Sequence, residues 1–188
     1  VLVMPFEDSG KVDEDSMLRQ LDFCMAAGAK ALVFGWGSES HLLTDAELED
    51  IWSATVRHVD GRLPVVVATT HASREGVIAR TKLAGRCGAD CAMVNPEGRA
   101  GDQLVGLFRD LADEANIALM IQDAHGNVDA KTFQDAGCIV GVYDVSFEVS
   151  SGFFLISTFF AAISLSINSI IAIGASSPYL KPVLTTLL

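Results

Sequence analysis

Positive charge is what this sequence has least of. Its 188 residues carry 13 Lys and Arg against 24 Asp and Glu, a formal net charge of −11. An acidic surface repels a phosphate backbone, so nucleic-acid binding is not expected. Lysine is scarce, at Lys11, Lys30, Lys82, Lys131 and Lys181, which leaves few amines for covalent chemistry. Cysteine is limited to Cys24, Cys87, Cys91 and Cys138. Cys87 and Cys91 are spaced CxxxC, but no nearby Cys or His completes a zinc set, so free, mostly buried thiols in a reducing compartment are expected. No signal-peptide pattern opens the chain, and a cytoplasmic location is the expectation. No G-x-G-x-x-G follows the first apolar run, which argues against a dinucleotide fingerprint.

The lack of charge is also uneven. No acidic residue lies beyond Glu148, and from Val149 onward the only charge is Lys181. The chain therefore divides into residues 1–144 and an apolar segment, 145–188. Residues 153–173 are 21 uncharged residues. A membrane span needs ~20 mostly apolar residues, but no Lys/Arg cluster flanks these to set an orientation. Three readings stay open: a non-homologous join beginning near Gly137, a membrane span, or native barrel sequence.

The first 144 residues show strands alternating with helices. Strands are expected at 1–4, 31–34, 63–68, 91–94, 117–121 and 139–143. Helices are expected at 13–27, 44–59, 73–86, 102–115 and 130–136. Thr44 followed by Glu47 is a capping box. The strands are continuous apolar runs, the mark of parallel strands covered on both faces. One strand–helix unit recurs every ~25–35 residues, which fits a (β/α) barrel or an open doubly wound sheet. In both, ligand groups gather at the C-terminal ends of strands. That rule selects Gly35-Trp36-Gly37-Ser38, Thr69, Thr70, His71, Asn95, Glu97, Gln122, Asp123, His125, Tyr143 and Asp144. The two glycines and Ser38 can form a backbone nest for a carboxylate or phosphate. An oxygen and imidazole metal set from Glu39, Glu97, Asp123, His71 and His125 lacks any HxH or DxD spacing, so no metal is expected.

Several motifs fall in one order. Met4-Pro5-Phe6 precedes Gly10-Lys11-Val12-Asp13. Gly35-Trp36-Gly37-Ser38-Glu39 precedes Leu43-Thr44 and Glu47. Gly88-Ala89-Asp90 leads to Val94-Asn95-Pro96, and Ile139 to Asp144 reads I-V-G-V-Y-D. In these the chain resembles the dihydrodipicolinate synthase and N-acetylneuraminate lyase family of class I aldolases. The resemblance implies a (β/α)8 TIM barrel, here incomplete with about six strands and an apolar C-terminal segment. It implies an aldolase-type carbon–carbon lyase or synthase acting on pyruvate or another 2-keto acid, with no cofactor, whose intact relatives form homo-oligomers. It also places substrate contacts at Gly35, Trp36, Gly37 and Ser38, where the family's carboxylate-binding threonines are replaced by Trp36 and Gly37. The family's relay tyrosine corresponds to Gln122 and its Schiff-base lysine to Tyr143. A second family tyrosine is replaced at Glu97-Gly98. No lysine of this chain is well placed at the C-terminal end of a strand inside the barrel (Lys30 precedes a strand, at the wrong face), so imine formation is not expected. A carboxylate-binding relative without that chemistry, or a membrane-tethered fragment, are the alternatives.

Overall fold

A computed structural model describes residues 1–123, 128–137 and 139–144. Helix α1 (Glu14–Ala26) begins at Asp13, whose carboxylate accepts the Ser16 N–H at 2.9 Å. Strand β1 (Leu32–Phe34) follows, then two turns of 3-10 helix at Trp36–Ser38 and Ser40–Leu42. Helix α2 (Asp45–Val59) carries the expected capping box. Glu47 N–H donates to the Thr44 hydroxyl at 3.3 Å, and the Glu47 carboxylate receives the Thr44 N–H at 2.8 Å. It ends on Asp60 in the left-handed region. Then come β2 (Val65–Ala68), α3 (Arg74–Cys87), β3 (Cys91–Val94), α4 (Gly101–Glu114), β4 (Ala118–Asp123), α5 (Ala130–Ala136) and β5 (Ile139–Asp144).

The five strands pair in parallel, in the order β1-β2-β3-β4-β5. Each strand lies beside its predecessor with a helix between, the repeating unit of a (β/α) barrel. The first expected strand, residues 1–4, is not a member of this sheet. It runs beside β1 with one backbone hydrogen bond to it, Leu2 N–H to Val33 O at 2.9 Å. Burial still alternates along it: Leu2 and Met4 are buried, Val1 and Val3 exposed.

Both faces of the strands are covered, which is why they read as unbroken apolar runs. On one face Leu32, Phe34, Val65 and Val67 pack with Met17, Leu21, Leu48, Ile51 and Trp52 of α1 and α2. Farther along the same face, Ala92, Val94, Leu119 and Ile121 meet Leu104, Leu107, Phe108 and Leu111 of α4. Those α4 positions recur at the spacing of one helix face. On the other face Val33, Val66, Cys91, Met93 and Ala118 form a separate cluster, with Ala68 and Met120 at its margin. This second cluster is the wall of a barrel interior.

Among the described residues no cysteine is in a disulfide. Burial pushes the Cys91 thiol up to about 12, with Asp90 adding to the shift. Cys24 and Cys87 are only half-buried, so the expectation of mostly buried thiols is corrected for these two. Both sit on helices, where one side faces water. Cys138 and the apolar residues 145–188, including 153–173, lie outside the described residues. Among the described residues no helix is long and apolar enough to cross a membrane.

Candidate ligand site at the strand ends

The polypeptide leaves β1 at Gly35 and turns back on itself. Ser38 N–H donates to Gly35 O at 3.1 Å, while Gly35 N–H donates to Ser38 Oγ at 3.0 Å. Ser38 Oγ in turn donates to Leu2 O at 2.5 Å. Ser38 is fully buried, and its hydroxyl is committed to these two bonds. Its place is that of a tether between the turn and residues 1–4. Ser40 Oγ adds a bond to Gly35 O at 3.3 Å, and Glu39 takes a left-handed φ of 58° to make the turn. Gly37 and Glu39 are exposed, while Gly35, Ser38 and Ser40 are buried.

Beyond β2, Thr69 and Thr70 part company. Thr69 faces the helices, and its hydroxyl pairs with that of Thr81 at 2.9 Å. Thr70 Oγ1 accepts the Asn95 N–H at 2.9 Å, and its carbonyl accepts from Arg80 Nη1 at 3.1 Å. Arg80 also binds Asp45 at 2.8 Å. This arginine was not identifiable in the sequence, because α3 carries it back to the strand end only after folding. Asn95 is buried, and its Oδ1 accepts the Glu97 N–H at 2.9 Å.

Side chains alternate along β4. Leu119 and Ile121 pack toward α4, while Ala118 and Met120 belong to the interior face. Gln122 continues the interior side. It is 5% exposed, and its Oε1 is buried with no hydrogen-bond partner among the described residues. Tyr143 stands opposite Gln122 in the β4–β5 register. Asp123, one residue on, accepts the Val128 N–H at 3.1 Å.

The remaining candidates are dispersed. His71 Nδ1 accepts the Ser73 N–H at 3.1 Å at the start of α3, and His125 lies outside the described residues. Among the described residues no three His, Cys, Asp or Glu side chains are grouped to hold a metal. Lys11 and Lys30 are exposed before α1 and β1. Lys82 on α3 pairs with Glu114 at 2.5 Å, and Lys131 on α5 pairs with Asp135. The hydrogen bond to Asp135 holds the Lys131 amine above its ordinary range. That is the reverse of the depression an imine-forming amine needs.

A parallel sheet of successive β/α units, with polar groups at the strand C-terminal ends, defines the (β/α) barrel class. Within that class, residues 1–97 match the family model described as the dihydrodipicolinate synthetase family, and the chain belongs to that family. It is 31% identical over 131 residues to an L-2-keto-3-deoxyarabonate dehydratase of Azospirillum brasilense, covering 66% of this chain and 42% of the relative. It is 37% identical over 94 residues to a 4-hydroxy-tetrahydrodipicolinate synthase of Xylella fastidiosa, covering 50% of this chain and 31% of the relative. The chain thus spans less than half the length of these curated relatives. Among solved structures, a dihydrodipicolinate synthase of Bacillus anthracis superposes with a TM-score of 0.72 at 23% identity, over 77% of this chain and 53% of that one. YagE of E. coli, solved in complex with pyruvate, superposes with a TM-score of 0.69 at 23% identity, over 76% of this chain and 52% of that one.

Proposed function

We propose that this chain binds pyruvate or another 2-keto acid at the C-terminal ends of its strands, as part of an aldolase-type carbon–carbon lyase, without itself supplying the imine-forming amine. Gln122 carries the reading: an amide 5% exposed, with an unpartnered oxygen, on the interior face at a strand end. A buried amide is costly without partners: the Gln122 Nε2 N–H can donate to the acceptor oxygens of a keto acid, while its Oε1 calls for a donor that pyruvate does not carry. The turn at Gly35, Trp36, Gly37 and Ser38 borders the same end of the sheet. There the exposed Gly37 offers backbone to a carboxylate, and Ser38 keeps the turn in place.

The chemistry stops at binding. An amide accepts and donates hydrogen bonds but does not relay protons as a phenol does. None of the four lysines in the described residues lies at the C-terminal end of a strand, and Tyr143 stands where the family resemblance puts the Schiff-base lysine. By the same resemblance, the protein works in the cytoplasm as part of a homo-oligomer.

Ligand-observed NMR with pyruvate, followed by borohydride reduction and intact mass, tests this. Saturable binding without a covalent adduct is expected. The Tyr143→Lys variant, with an amine opposite Gln122, is expected to gain a reducible adduct. An adduct on the unsubstituted chain would show that an amine of this chain does form the imine, and absence of binding would sink the reading altogether.

A further inference from the structure

The sheet has two faces, and the described helices take only one of them. All five pack their apolar side chains on that face. The other face is the inner wall: Val33, Val66, Cys91, Met93 and Ala118, with Ala68 and Met120 at its margin. Every one of these is a strand residue, and none of the described helices contributes to the cluster. The wall is nonetheless buried, Met93 completely and Val66 to 5% exposure. Neighbouring side chains on a sheet shield each other's flanks, but they stand perpendicular to it and leave their tips to whatever lies above. An eight-stranded barrel fills that space with side chains from the strands opposite. Here five strands are described.

The wall bears no charge, so a charged group laid over it would lose its water and gain no partner. Residues 149–180 avoid that cost. Their one ionisable side chain is the Tyr179 phenol. They are also within reach. Strand β5 ends at Asp144, and the eight residues 145–152 can extend up to about 28 Å before Phe153. Four strand spacings make the wall about 19 Å wide. The 21 residues 153–173 reach about 30 Å even at 1.5 Å per residue. We infer that the apolar segment 149–180 of this same chain covers the inner wall, against Met93 and Met120. A second copy fits worse, because each chain carries a net −11 and the two repel. A bilayer also fits worse, because no Lys/Arg cluster flanks 153–173. The keto-acid reading places its ligand at the strand ends, above this wall, and neither reading depends on the other.

Photo-methionine, incorporated in place of methionine in the full, unsubstituted chain, supplies the test. Met93 and Met120 lie on the wall, while Met4 and Met17 lie on the helix side. A mixture of isotopically light and heavy chains is irradiated, and mass mapping reads which residues are joined and whether within one chain. Links from Met93 and Met120 to residues 149–180 of the same chain are expected, with none from Met4 or Met17 to that segment. Light-to-heavy links from the wall would make a second copy the occupant and overturn the inference. So would photolysis of Met93 and Met120 with no link to 149–180, or links to that segment from all four methionines alike. Flotation with phosphatidylcholine vesicles is the second arm. The chain is expected to stay in the aqueous fraction, and co-flotation would place the segment in lipid and overturn the inference.

Discussion

Ser38 is 36 residues from Leu2, yet its hydroxyl donates to the Leu2 carbonyl and accepts from Gly35 N–H. One side chain thereby holds a turn and a chain segment that share little backbone bonding. In Ser38→Ala the Leu2 carbonyl and the Gly35 N–H are left in a buried place without that partner, a loss of about 1–3 kcal/mol. Chemical denaturation should show this loss, and hydrogen exchange should show Leu2 opening faster. A variant as stable as the parent would mean that water replaces the hydroxyl without cost. At this scale the sequence was partly legible. Gly35-Trp36-Gly37-Ser38 is recognisable as a tight turn, but the direction of the Ser38 hydroxyl depends on residues 1–4 lying against it. Gln122 was legible as a strand-end residue. That its oxygen lacks a donor follows from packing.

Helix starts were legible at the scale of elements because capping is local. Asp13 and Thr44 each stand one residue before a helix, within reach of its first free N–H groups. The Ser16 hydroxyl and N–H hold the Asp13 carboxyl below its ordinary 3.8. The Thr44 hydroxyl and N–H hold that of Glu47 below 4.5. In both, folding favours the charged form. The stabilisation is complete above the ordinary values and is lost as pH falls through the depressed ones. Urea melts at pH 7 and pH 3 should show this acid-side loss. The double variant Asp13→Asn, Glu47→Gln should lose less on acidification, from a lower starting stability at pH 7. An equal loss in parent and variant would rule these two carboxyls out. The expected strand at residues 1–4 failed for a non-local reason. An apolar run becomes a strand through its pairing, and here only Leu2 N–H bonds to β1.

A five-stranded parallel sheet has two edges, and an edge invites pairing with another chain. On the β1 side, residues 1–4 lie beside the sheet. There Val3 N–H donates to Gln20 Oε1 at 2.9 Å, and Gln20 Nε2 donates to Val3 O at 3.1 Å. The amide of α1 thus occupies both bonds that a further strand would make to Val3, while Val1 and Val3 stay 66% and 60% exposed. Gln20→Ala should uncover this position. Faster exchange of the Val3 amide is expected, together with concentration-dependent self-association in sedimentation. Unchanged sedimentation would mean that the edge is protected by something other than Gln20.

The sequence alone determined the alternation of elements, the helix caps, the parallel and doubly covered character of the strands, and the family. Each of these rests on spacing within a few residues or on motifs in fixed order. It also showed that lysine is scarce, and among the described residues none of the four lies at the C-terminal end of a strand. The tertiary structure decided which groups meet. Arg80 reaches Thr70, Gln20 covers Val3, Ser38 ties to Leu2, and Thr70 accepts from the Asn95 N–H. Register and helix packing bring together residues far apart along the chain, and neither is encoded by local spacing. The same holds for the scarcity first visible in composition. Too few amines was a count in the sequence. The structure made it chemical, pairing Lys82 with Glu114 and Lys131 with Asp135 on helices away from the strand ends.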